Sequence, residues 1–172
     1  MLNIHPAVVH LPIGLLTVYS IIEILRFKKI QERSYIFYIK AVLVIVGFFG
    51  AIGAFLTGDM IEHAFVGTRA LVNVHSNFAL ATLILYGIIG ASYLIVWFQK
   101  ESKKIAKLKN KTLVSLWKKK LLVANFLQKG PVLVVLSVIA LICISITGAL
   151  GGAIAYGPDA DPFVSLVYGL FF

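Results

Sequence analysis

Charge is what this sequence has least of. Only 13% of its 172 residues are charged, 60% are hydrophobic, and the mean hydropathy is +0.96. A water-soluble domain of this length has too little interior to hide so much apolar side chain. Nor is there length for a separate soluble catalytic module, so the chain reads as one membrane domain. Acidic residues are the scarcer sign, 7 against 16 Lys and Arg, which leaves a formal net charge of +9. The basic residues flank apolar runs and do not alternate with aromatics on a polar surface. Such juxtamembrane segments meet anionic lipid first, and no nucleic-acid partner is expected. The single cysteine, Cys143, lies in an apolar run. An internal disulfide and CxxC or CxxCH chemistry are thereby excluded, and Cys143 reads as a small buried apolar residue. A basic n-region before the first apolar stretch is also missing, and His5, Pro6, His10 and Pro12 interrupt where an h-region would begin. A cleavable signal is therefore not expected, and the first helix is retained.

What is present in abundance is long apolar runs. Crossing about 30 Å of hydrocarbon takes roughly 20 helical residues. Four stretches qualify, at about 8–25, 35–56, 71–98 and 131–156, with Pro12 in the opening turn of the first. The expected fold is all-α and integral to the membrane: four transmembrane helices in a bundle. Arg26, Lys28, Lys29, Arg33 and Lys40 lie between the first two spans. Lys100, Lys103, Lys104, Lys107, Lys109, Lys111, Lys118, Lys119, Lys120 and Lys129 lie between the last two, leaving only Arg69 elsewhere. By the positive-inside rule both loops are cytoplasmic, so both termini are extracytoplasmic. Within loop 99–130, Thr112–Gln128 mixes Leu, Val, Trp117 and Phe126 with Lys118–Lys120. That pattern predicts an amphipathic helix lying on the inner membrane surface between the third and fourth spans. The tail, 157–172, is too short to cross and is expected to pack against the helix ends.

This orientation gathers the polar residues. His5 and His10 open or precede the first span, Asp59, Glu62 and His63 follow the second, His75 opens the third, and Asp159 and Asp161 follow the fourth. All four histidines thus share the outer face. Imidazole is the commonest metal ligand and a standard axial ligand of haem, and a polar ring in the first turn of an apolar helix needs a partner. Gly47, Gly50 and Gly53 recur on the second span, and Gly148, Gly151 and Gly152 on the fourth. Such positions serve close helix packing or the approach of a planar porphyrin held between helices. A bare zinc or copper site from His5, His10, His63, His75, Asp59 and Glu62 is the rival, although no HxxxH or HxH spacing supports it. Ser76 beside His75 points about 100° away and implies no nucleophile–base pair. GALGG ends a helix where a phosphate loop would open one. Glu23, near the inner end of the first span, is expected to pair with Arg26 or Lys28.

The segment HPAVVHLPIGLL (His5–Leu16) resembles the opening signature of a bacterial family of four-helix membrane proteins of unassigned function. LTGDM at Leu56–Met60, HSNFA at His75–Ala79 and TGALGGAIAYGPDADP at Thr147–Pro162 agree with it in order. Some members are joined to Rieske-type or cytochrome c-type domains, which implies electron transfer in or across the membrane. By motif match His5, His10 and His75 carry over. Many relatives have a histidine where this chain has Ala149, so a ligand there would be missing or replaced by His63.

The expected function is a membrane-embedded b-type cytochrome with one haem, or two, near the extracytoplasmic face of a bacterial inner membrane. His10 and His75 are the expected axial ligands, with His5 and His63 a second pair or supporting groups. Its partners would be the lipid bilayer, quinol, and an extracytoplasmic cytochrome or Rieske-type protein. The alternative is a non-catalytic subunit of a larger complex or oligomer, or a bare-metal protein. Either way an electron-transfer or accessory protein is expected rather than a stand-alone enzyme. A transporter is disfavoured, since no inverted repeat and no mid-span charge is evident.

Overall fold

A computed structural model describes residues 5–26, 33–62, 69–101 and 111–172. Within them lie six helices: α1 (His5–Leu25), α2 (Ser34–Glu62), α3 (Arg69–Glu101), α4 (Lys111–Leu127), α5 (Gly130–Tyr156) and α6 (Pro162–Tyr168). Four are long and apolar enough to cross a membrane, over Ala7–Leu25, Ser34–Gly58, Arg69–Glu101 and Gly130–Tyr156.

Two boundaries differ from the sequence reading, each for a local reason. The first helix starts at His5, because Pro6 suits the opening position of a helix, where its missing N–H would be an orphan anyway. Pro12 therefore falls inside α1 and not in its opening turn. The second helix runs through Thr57–Gly58–Asp59 to Glu62. Thr57 turns its hydroxyl back onto the Gly53 and Ala54 carbonyls, 3.0 Å each, which satisfies it without breaking the helix.

The four long helices close a ring in which α1 packs on α2, α2 on α3, α3 on α5 and α5 on α1. Glycines permit the closest approaches. A Cβ on Gly47 would meet Leu16 at 2.6 Å, and one on Gly50 would meet Pro12 at 3.4 Å. The α2 glycines thus seat α1, as small residues do between membrane helices.

Polarity runs the opposite way from a soluble protein. Phe49 (62% exposed), Val135 (57%) and Ile142 (53%) point outward, while Tyr19, Ser20, Glu23, Tyr86, Tyr93 and Ser137 are buried. Without water to drive apolar groups inward, lipid faces the hydrocarbon side chains and the bundle interior collects the polar ones.

The short elements pack on the ends. Helix α4 folds back along the end of α3, where Trp117 Nε1 donates to Gln99 Oε1 at 2.8 Å and stacks edgewise on Phe98. Helix α6 is capped by Asp161, which accepts from the Phe163 and Val164 amides at 2.8 and 2.9 Å. It buries Val164 and Val167 with Leu71, Ala149, Leu150 and Ala153.

Candidate functional site

Two histidines are built into the end of the bundle where α1 and α3 begin and α2 and α5 finish. His5 opens α1, and its Nδ1 lies 3.0 Å from Thr57 Oγ1 of α2. The Thr57 proton is already committed to backbone carbonyls, so the hydroxyl oxygen accepts and His5 carries its proton on Nδ1. Burial holds the His5 imidazole below the usual histidine pKa, only partly offset by a hydrogen bond to the Ala54 backbone.

His75 repeats the arrangement across the bundle. Its Nδ1 lies 3.0 Å from the Thr147 carbonyl of α5. A carbonyl can only accept, so His75 also carries a proton on Nδ1 and leaves Nε2 for another partner. Thr147 is held in turn by its hydroxyl, which donates to the Cys143 carbonyl at 2.8 Å. Glycine makes room for both rings. A Cβ on Gly58 would lie 3.1 Å from His5 Cε1, and one on Gly151 would lie 3.2 Å from His75 Cε1.

The remaining candidates separate from this pair. His10 is exposed on α1. His63 lies outside the described residues, as do the side chains of Asp59 and Glu62. Asp161 is the α6 cap, and Asp159 is exposed. Among the described residues, no three His, Cys, Asp or Glu side chains gather as a bare metal ion would require. A haem asks less of the protein, because the porphyrin supplies the equatorial donors and only the axial pair must come from the chain. Two imidazoles, each tied at Nδ1 to an oxygen of a neighbouring helix, fit that donor set. The glycines divide their work: Gly58 and Gly151 seat the imidazoles, Gly47 and Gly50 seat α1, and Gly152 meets Val164 of α6.

A second polar cluster, at the opposite end, escaped the sequence reading. Glu23 is fully buried, and Lys40 Nζ donates to its Oε2 at 2.6 Å. Arg26, one of the two partners expected from sequence, also pairs with it, its Nε 3.5 Å from Oε1, and Lys28, the other, lies outside the described residues. Lys40 looked like a loop cation but sits on α2 and is 7% exposed. A signal was present on α3, where His75, Thr82, Tyr86 and Tyr93 recur at helical spacing along one face.

No family model, no curated protein and no solved structure matches this chain.

Proposed function

We propose that the protein is a b-type haem protein of a bacterial cytoplasmic membrane, transferring electrons near the extracytoplasmic face, with His5 and His75 as the residues that would hold the haem iron. The observation that carries this reading is the matched pair of imidazoles, each with its Nδ1 proton given to a fixed oxygen of a neighbouring helix. Such hydrogen bonds set the tautomer, aim Nε2 and raise its strength as a donor. His10 was the more prominent partner for His75 in sequence, but its ring is exposed, whereas His5 is seated and oriented.

Bound haem would supply one-electron chemistry, its iron cycling between ferrous and ferric. The chain's part is to hold and tune. Thr57 and Thr147 fix the ring planes, and Gly58 and Gly151 let the rings lie against backbone. An apolar cluster that includes Leu71, Phe78, Ala149 and Leu150 is built on α3 and α5, the helices that carry His75 and Thr147. Quinol, or an extracytoplasmic cytochrome or Rieske-type protein, is the partner that suits such a site.

The orientation and the surface helix belong to the same proposal. Leu113, Leu116, Leu122 and Phe126 of α4 are exposed, and so are Lys118–Lys120. A helix with both characters suits the headgroup boundary of the inner leaflet.

The test is a reduced-minus-oxidised spectrum and a pyridine haemochrome assay on detergent-purified protein expressed with ample haem. A b-type spectrum lost in His5→Ala and His75→Ala, but kept in His10→Ala, supports the assignment. Loss in His10→Ala with retention in His5→Ala would restore the His10–His75 pair. A colourless wild-type protein sinks the reading.

A further inference from the structure

No carboxylate lies between Glu101 and Asp159, a stretch that carries nine lysines and includes all of α4 and α5. Among the described residues, both salt bridges at this end of the bundle are made by Glu23, with Lys40 and Arg26. Glu101 accepts from the Tyr38 hydroxyl of α2 at 2.9 Å, and Glu32 lies outside the described residues. The lysines of α4 thus have no acid on their own helix, and those two carboxylates are engaged with α1 and α2.

Two of these lysines belong to one groove. Lys118, Leu121, Leu122, Asn125, Phe126 and Lys129 line it, and their spacing is that of a single helical face. Trp117 and the buried Ala124 mark the side of α4 turned to the bundle. Leu122 and Phe126 are 71% and 51% exposed, so the groove combines bare hydrocarbon with exposed cations at both ends. The turn into α5 fixes the second cation. Gln128 and Lys129 donate their amides to the Ala124 and Phe126 carbonyls at 3.0 and 3.1 Å. From there the Lys129 ammonium leans back over the Phe126 ring, 5.3 Å from its centre. A cation over an aromatic face is held in place without being neutralised.

The occupant follows from this combination and from the place of the groove. Gly130 begins a helix long and apolar enough to span, so the groove ends where that span starts. A small soluble anion would answer the ammoniums and leave Leu122 and Phe126 in water. A neutral apolar partner would cover those side chains and leave the charges unanswered. A phospholipid with net negative charge does both, its phosphate meeting lysine heads whose stems lie along apolar surface.

We propose that this groove is a binding site for one anionic phospholipid. Its phosphate is held by the Lys118 and Lys129 ammoniums with the Asn125 amide, and an acyl chain lies on Leu122 and Phe126. The site rests on the surface-helix reading of α4 and does not depend on haem. Lys119 and Lys120 do not line the groove and contribute only diffuse attraction to a charged leaflet.

Native mass spectrometry of the full chain, delipidated in detergent and titrated with phosphatidylglycerol or phosphatidylcholine, reads the site directly. One phosphatidylglycerol should be retained in preference to phosphatidylcholine. In Lys118→Gln/Lys129→Gln its affinity should fall about thirtyfold, roughly fivefold for each lysine. Lys119→Gln/Lys120→Gln removes the same charge and should stay within about twofold of wild type, because exposed charges away from the phosphate are screened. Equal retention of the two lipids, or a loss in the groove variant no greater than in the control pair, overturns the site and leaves only general attraction between lysines and leaflet. Displacement of the lipid by millimolar inorganic phosphate overturns it too, by revealing a site for a free anion. The haem spectrum of the same preparation is a separate readout, so either proposal can fail without the other.

Discussion

At the scale of the residue, Lys40 and Glu23 test how a buried charge pair behaves without solvent. Lys40→Met alone leaves Glu23 buried and without its 2.6 Å partner. The expected loss is about 3–5 kcal/mol of stability, because an uncompensated buried charge is worse than no charge at all. Glu23→Gln together with Lys40→Met should cost much less than Lys40→Met alone. Unfolding by denaturing detergent in mixed micelles, run as a double-mutant cycle, measures both. A double-variant cost equal to the sum of the Glu23→Gln and Lys40→Met costs would show that the pair contributes no coupling. Little of this was legible beforehand. Lys40 lies 17 positions from Glu23 and close enough to a basic run to pass as part of a loop. The histidines were more legible, since apolar helices surround them and isolate their polarity. What selects His5 over His10 is the hydroxyl of Thr57, 52 positions away, which no local pattern of α1 could indicate.

At the scale of the element, helix contact depends on a few positions with no side chain. Gly47→Val would drive a Cβ into Leu16, whose Cδ2 and Cγ lie 2.6 and 2.7 Å from it and whose side chain is fully buried. Overpacking of this kind costs about 1–3 kcal/mol. Gly14→Val is the matched control, because nothing lies within 4 Å of a Cβ there. Thermal unfolding in detergent should separate the two, with Gly47→Val markedly lower and Gly14→Val near wild type. A helix end offers a different test. Asp161→Ala removes the acceptor for two amides of α6 and should cost about 1 kcal/mol, read as faster proteolysis of the C-terminal tail. The four long helices were legible because hydrophobic length is a coarse property that survives small errors. Their ends were less so. The start at His5 depends on how a proline suits a first turn, and the run to Glu62 depends on Thr57 bonding back to its own helix.

At the scale of the molecule, the haem reading relies on an asymmetry between the two ends of the bundle. One end carries the seated histidines and the other carries Arg26, Arg33, Lys40, Lys100 and Lys129, with the lysine-rich α4 folded against it. That separation was plain in the sequence, since charge blocks of 5 and 10 basic residues flank the spans and need no tertiary contact to be read. It predicts a direction in the membrane that chemistry can check. Cys143 is the only cysteine, so Cys143→Ala gives a thiol-free background into which single cysteines can be placed. Asp159→Cys, exposed at the histidine end, should react with a membrane-impermeant thiol reagent on intact spheroplasts. Ser115→Cys, exposed on α4, should react only after the membrane is opened. The reverse pattern would turn the molecule over and put the histidine pair on the cytoplasmic side. An extracytoplasmic cytochrome or Rieske-type protein could not then reach it. Labelling at both positions in intact spheroplasts would mean a mixed orientation, and the basic loops would then have failed to act as the topological signal that their charge implies.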